Sequence, residues 1–167
     1  MTERIIFADE NDQPIGAGPR EEAWAKGYYV RIVRAVLRDE KGRILSQLRS
    51  PTKQSYPNCW TDSTSGHVDE GETYDETIVR ELKEEIGIET ELKFLGKFSS
   101  QDIVGEKRIF EFNAVYEGAM PSSTEFTLEE GEVAEIKWYE LDELKRFIDR
   151  SPESFTLGFR ETIRRFY

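Results

Sequence analysis

Residues 66–88 read GHVDEGETYDETIVRELKEEIGI. A glycine-bearing loop runs into a helix loaded with carboxylates. Glu81, Glu84 and Glu85 stand at offsets 0, 3 and 4, which share one face of a helix. Like charges on one face repel each other by about a few tenths of a kcal/mol per pair, and a divalent cation turns that repulsion into a binding site. The helix is expected from about Thr73 to Ile86, with Gly87 as its stop. Val79, Leu82 and Ile86, at offsets 0, 3 and 7, are its expected core stripe.

Outward from this stretch the pattern is β-rich. Upstream, RIIFA (4–8) and the turn-rich DENDQPIG predict a hairpin over 4–17, followed by a weak helix over 19–26 that stops at Gly27. YYVRIVRAVLRD (28–39) and RILSQLRS (43–50) flank Lys41-Gly42 and read as a hairpin. Residues 50–58 are a loop, and 60–65 a short strand leading into a loop at Gly66 and His67. Downstream, 91–100 and 107–118 are strands. Phe110, Phe112, Ala114 and Tyr116 alternate on one face of the second. An acidic loop over 127–135 precedes a strand over 135–141 and a helix over 141–148. A last helix opens at Ser151-Pro152, with Phe155, Phe159 and Ile163 spaced by four. Strands interrupted by one central helix, with helices at the end, imply a mixed sheet between helical layers.

The chain has 167 residues, suited to one domain over 1–167, and its apolar fraction of 37% is enough to build a core. A formal net charge of −11 argues against nonspecific binding to nucleic acid or anionic membranes. It also demands local cations for any phosphorylated ligand. The one cysteine, Cys59, permits no internal disulfide, which points to a reducing, cytoplasmic setting. The start, MTERIIFADE, lacks the features of a signal peptide, and no run of residues is apolar enough for a membrane helix.

Gly66, Glu72, Arg80, Glu81, Leu82, Glu84, Glu85, Gly87 and Ile88 fill every specified position of the Nudix box, and the chain resembles the Nudix hydrolases. The resemblance implies an α/β/α sandwich (an α+β fold) with a mixed β-sheet and an added N-terminal hairpin over 1–27. It implies hydrolysis of a diphosphate bond in a nucleoside diphosphate linked to another moiety, with Mg2+ or Mn2+. Glu81 and Glu85 would be the principal metal ligands, joined by Glu84 and the Gly66 carbonyl. Glu72 and Arg80 would form a salt bridge that holds the box. A general base would come from the acidic loop, with Glu132 and Glu130 ranked above Glu129. Arg49 and Lys53 are candidates for phosphate contact, with Arg31 and Arg34 behind them. Trp24, Tyr28, Tyr56 and Trp60 are candidates for stacking.

Within that family the flanks KGRILSQLRSPTK, PNCWTDSTSGH and SFTLGFRE resemble the group related to isopentenyl diphosphate isomerase. Those isomerases carry a catalytic Cys where this chain has Ser65, and several metal-binding histidines where it has only His67. Arg31 stands where one missing ligand would be, and Cys59 is out of place for the thiol. These departures favour a hydrolase over an isomerase; a non-catalytic binding domain is disfavoured by the intact box. The expected partner is a small-molecule diphosphate, with a homodimer as the expected assembly.

Overall fold

The structure, a computed structural model, describes residues 3–167; the first two residues of the expected extension lie outside it. In chain order come β1 (Ile5–Ala8), β2 (Pro14–Gly18), α1 (Arg20–Lys26), β3 (Tyr29–Arg38), β4 (Ile44–Arg49), β5 (Trp60–Thr61) and β6 (Thr64–His67). Then follow α2 (Tyr74–Ile86), β7 (Leu92–Val104), β8 (Lys107–Ala119), β9 (Val133–Tyr139), α3 (Leu141–Arg150) and α4 (Leu157–Phe166).

β3 is the spine. β8 runs parallel to it from Tyr29↔Phe110 to Arg38↔Ala119. Its other edge is shared by β1 at Val30, β6 at Ile32 to Ala35 and β4 at Arg38. The predicted hairpin of 28–39 with 43–50 is therefore right only at its turn. Arg38↔Ile44 is the one pair in register, after which β4 leaves to pair with β5 and β9. Both strands are buried on two faces. Each therefore recruits its own neighbours, and the sheet forks between them.

Side-chain alternation along β3 builds the layers. Val33, Ala35 and Leu37 pack with Ile78, Leu82 and Ile86 of α2. Val36 faces the other way, onto Leu144 of α3 and Phe159 and Ile163 of α4. Val30 and Ile32 pack with Ile5, Phe7 and Ala23 of the N-terminal elements. The result is the expected mixed sheet between helical layers, with β1 and β2 as the expected hairpin.

Several elements differ from the sequence reading. Val79 is 52% exposed, and the buried apolar line of α2 is Ile78, Leu82 and Ile86. Spacing alone fitted Val79, but one residue of helix turns a side chain by about 100°, which carries it away from the sheet. Gly66 and His67 lie in β6, not in a loop, because His67 pairs with Ile32 in the ladder. The β7–β8 hairpin extends to Val104, past the expected end at 100, and β9 starts two residues early at Val133. Phe155 is buried but extended, ahead of Thr156, whose side chain caps α4.

Candidate active site

α2 begins where Thr73 accepts the Glu76 N–H and ends at Gly87, which adopts a left-handed φ of 72°. A side chain at Gly87 would also meet Thr127, its Cβ standing 2.9 Å from that of Thr127. The close approach lets the Thr127 and Glu129 N–H groups cap the carbonyls of Ile86 and Glu85, at 3.1 and 2.9 Å. Backbone capping thus draws the acidic loop onto the C-terminal end of the carboxylate helix.

Arg80 grips Glu72 with both arms, Nε to Oε1 at 2.8 Å and Nη2 to Oε2 at 3.1 Å. The same guanidinium reaches Asp69, Glu81 and Glu84 at 3.2, 2.9 and 3.0 Å. One cation serving four carboxylates leaves the helix face under-neutralised. Glu81 and Glu85 are buried on that face, while Glu84 is exposed. Burial raises the pKa of Glu81, with Glu85 adding to the rise and Arg80 opposing it. Burial raises that of Glu85 too, against the bonds that Oε1 accepts from Thr64, the Ser65 N–H (3.1 Å) and Gln47 (3.2 Å).

Gly66 explains how β6 comes so near. A Cβ there would stand 2.2 Å from the Glu81 carboxyl carbon. Backbone and carboxylate are thus brought together by the lack of a side chain. This cradle and the all-oxygen donor set suit a hard divalent cation held by Glu81, Glu85, Glu84 and the Gly66 carbonyl. Among the described residues no three His, Cys, Asp or Glu side chains stand ready-gathered as a ligand set. In the present arrangement Glu81 is paired with Arg80 and Glu85 accepts from Thr64, partners that a bound cation would compete with.

The other face of the same ladder has the opposite character. Ser65 and His67 pair with Arg34 and Ile32, and all four side chains line a pocket with Arg20, Trp24, Arg49, Tyr56, Ile109 and Glu111. Arg34 is buried and committed: Nη1 donates to Asp62 at 2.7 Å and Nε to Asn113 at 2.8 Å, with Glu111 3.6 Å away. Gly158 of α4 allows this, since a Cβ there would stand 1.8 Å from Arg34 Nη2. Arg49 is different. It forms no ion pair among the described residues and donates only to the Ser55 carbonyl, at 3.2 and 2.9 Å. Burial lowers its pKa, and the charges of Glu85 and Glu132 oppose the shift. His67 is driven down to about 3 by burial and by Arg20, Lys53, Arg49 and Arg34, so its imidazole is neutral at pH 7.

Lys53 stands between the two faces. Its Nζ pairs with Glu132 at 2.5 Å, and its charge acts on both Glu129 and His67. Glu129 is raised by burial and by Glu132 and Glu84, so it also lies near the box. Glu130 is exposed and its side chain makes no hydrogen bond or ion pair among the described residues. The geometry gives no support for ranking Glu130 above Glu129. Arg31 is turned away from the site. It donates to Asp12 through Nε and Nη2, both at 2.7 Å. Reading from sequence missed Arg20 and Glu111. Glu111 had a visible signal, a charge inside the apolar run IFEFNAVY. Arg20 had none, because only the fold brings α1 over this face.

A family model described as the NUDIX domain matches residues 28–163. The chain belongs to the Nudix family. Its Nudix relatives include an isopentenyl-diphosphate Delta-isomerase 2 of Photorhabdus laumondii, 30% identical over 98% of this chain and 92% of the relative. A prenyl-diphosphate phosphatase of Methanosarcina mazei is 35% identical over 95% of this chain and 92% of that protein. Among solved structures, DR0079 from Deinococcus radiodurans superposes with a TM-score of 0.82 at 27% identity, covering 99% of both chains. The Nudix match starts at residue 28, so β1, β2 and α1 precede it. Among the described residues, no helix is long and apolar enough to cross a membrane.

Proposed function

We propose that this Nudix protein is a Mg2+- or Mn2+-dependent hydrolase of small-molecule diphosphates, acting on a nucleoside diphosphate linked to another moiety. The observation that carries this reading is the opposition of charge across one strand pair. The under-neutralised carboxylates Glu81 and Glu85 lie on one side, and the unpaired guanidinium of Arg49 lies on the other. A diphosphate with its cation is complementary to both at once. The cation, when bound, offsets phosphate charge and lowers the pKa of water.

The remaining work falls to side chains. Glu81, Glu85, Glu84 and the Gly66 carbonyl would hold the cation, with Glu72 and Arg80 keeping helix and loop in place. Arg49 would orient the phosphates, with Lys53 beside it. Glu132 or Glu129 would take the proton from the attacking water. The organic group would lie against Trp24, Ile32 and Ile109. We read residues 1–167 as one domain acting in the cytoplasm as a homodimer. Light scattering at 19.5 kDa would contradict the dimer.

The test is Glu85→Gln, and separately Glu81→Gln. Either should lower Mg2+-dependent diphosphate hydrolysis by about 100-fold or more, with the fold retained by circular dichroism. Full activity in either variant would sink the proposed metal site. A second reading, hydrolysis of a prenyl diphosphate, is favoured by the apolar wall of Trp24, Ile32 and Ile109 and by the name of the Methanosarcina relative. Identifying the products from both substrate classes decides between the two. Isomerisation is disfavoured because Ser65, at the isomerase thiol's place, is a hydroxyl that makes no hydrogen bond to a base among the described residues. Formation of dimethylallyl diphosphate from isopentenyl diphosphate would reverse that judgement.

A further inference from the structure

Three elements meet over the mouth of the pocket: α1, the 50–59 loop between β4 and β5, and the far end of the β7–β8 hairpin. Tyr56 in the loop donates its hydroxyl to the Asp102 carboxylate of β7. At the hairpin tip, Lys107 donates to the Gln54 carbonyl and lies 5.1 Å over the Trp24 ring. Arg108 donates to the Ala25 carbonyl at 3.0 Å.

Beneath this roof the cavity holds only about 80 Å3, against roughly 300–1,000 Å3 for small-molecule sites. An organic group as large as a nucleoside therefore needs the roof to move. The loop is built to do so. Tyr56 has a φ of 51° and Asn58 one of 59°. The left-handed region is uncommon for non-glycine residues and markedly unfavourable for a bulky one. Such strain persists only while surrounding contacts enforce it. Those contacts come from around the loop: Arg49 donates twice to the Ser55 carbonyl, Lys107 donates to that of Gln54, and Lys53 pairs with Glu132. A phosphate reaches Arg49 through Nη1 and the remaining Nη2 hydrogen, which Ser55 leaves free, so the hold on the loop that the organic group has to break is the one at Tyr56.

We propose that Tyr56 is the gate of this pocket and a specificity-determining residue. Latched to Asp102 it keeps the cavity narrow; with the latch open the loop withdraws and admits the larger organic group. The gating of substrate rests on the reading of the pocket given above, whereas the latch itself is a property of the fold.

The experiment compares the full-length wild-type chain with Tyr56→Phe, Asp102→Asn and the double variant. Tyr56→Phe keeps the ring and removes the donor, while Asp102→Asn keeps the side-chain size and removes the charge that strengthens the bond. Backbone hydrogen exchange over residues 50–58 should accelerate by about tenfold, as loss of one hydrogen bond to a charged group implies. The double variant should go no further than the single ones, and α2 should be unchanged. Catalytic efficiency on a nucleotide sugar, relative to a short-chain organic diphosphate, should rise in both single variants. Unchanged exchange over 50–58 in both overturns the latch. Faster exchange with an unchanged substrate ratio overturns the gate. If the wild type hydrolyses no diphosphate while exchange responds as expected, the hydrolase reading fails and the latch is supported.

Discussion

The two faces of the β3–β6 ladder are one strand apart and opposite in charge. On the α2 face, Arg80 alone serves four carboxylates, and Glu81 and Glu85 are buried with raised pKa values. On the pocket face, Arg49 is half-buried with no ion pair among the described residues, and His67 is kept neutral by burial and by the cations around it. Each face is uncomfortable alone, since burying an incompletely paired charge opposes folding. They do not neutralise each other because the ladder's backbone lies between them. Lys53 and Glu132, beside the end of β4 and the start of β9, bridge the two sides, and the charge of Glu85 reaches Arg49. Incompletely paired charge of both signs held this close is the ground for the proposal that a cation with a diphosphate binds here.

The contrast breaks most severely at Asp12, which ties the N-terminal elements to the rest. Its carboxylate accepts from Arg31, from Tyr74 at 2.9 Å and from Lys97 at 2.5 Å. Burial pushes its pKa up, but the bonds from Lys97, Arg31 and Tyr74 outweigh burial and hold it below the ordinary value. A depressed pKa stabilises the fold above the unfolded value, and that stability disappears as pH falls through the folded one. Asp12→Asn should therefore cost about 2–4 kcal/mol at pH 7 in denaturant unfolding. The difference should shrink below about pH 4.

Next comes Gly66→Ala. The new methyl meets the far end of a flexible side chain, so stability should change by less than about 1 kcal/mol. The Glu81 carboxylate must move, and Mg2+-dependent hydrolysis should fall about 100-fold. Arg49→Ala sharpens the pocket side. It should raise KM by about tenfold or more with a smaller change in kcat, the signature of a lost charge-assisted contact. The smallest effect is at Val79. Replacement by Ser should change stability by no more than about 0.5 kcal/mol, whereas Leu82→Ala should cost about 2–5 kcal/mol. Similar losses in both would return Val79 to the core.

Legibility followed the range of the interaction. The helix start near Thr73, the Gly87 stop and the hairpin of residues 4–17 depend on neighbours in sequence, and all were readable. The turn at Lys41-Gly42 was readable too, but not the parting of its strands, which depends on β6, β8 and β9. The acidic loop could be named as a candidate source of a base. Which of its members approaches the box depends on how Glu129 caps α2, and that is a tertiary fact. Arg31 looked like a phosphate ligand until Asp12, 19 residues away, claimed it.

By itself the sequence determined the family, the layered α+β fold and the box whose spacing places Glu81, Glu84 and Glu85 together, because a helix imposes its period on any chain that forms it. The tertiary structure decided what stands across from that helix: the cationic pocket, its roof at Tyr56 and the single strand of backbone that keeps the two charges apart. Those depend on which strands meet at the fork, and strand pairing joins residues from Arg20 to Glu132 whose closeness no local pattern records.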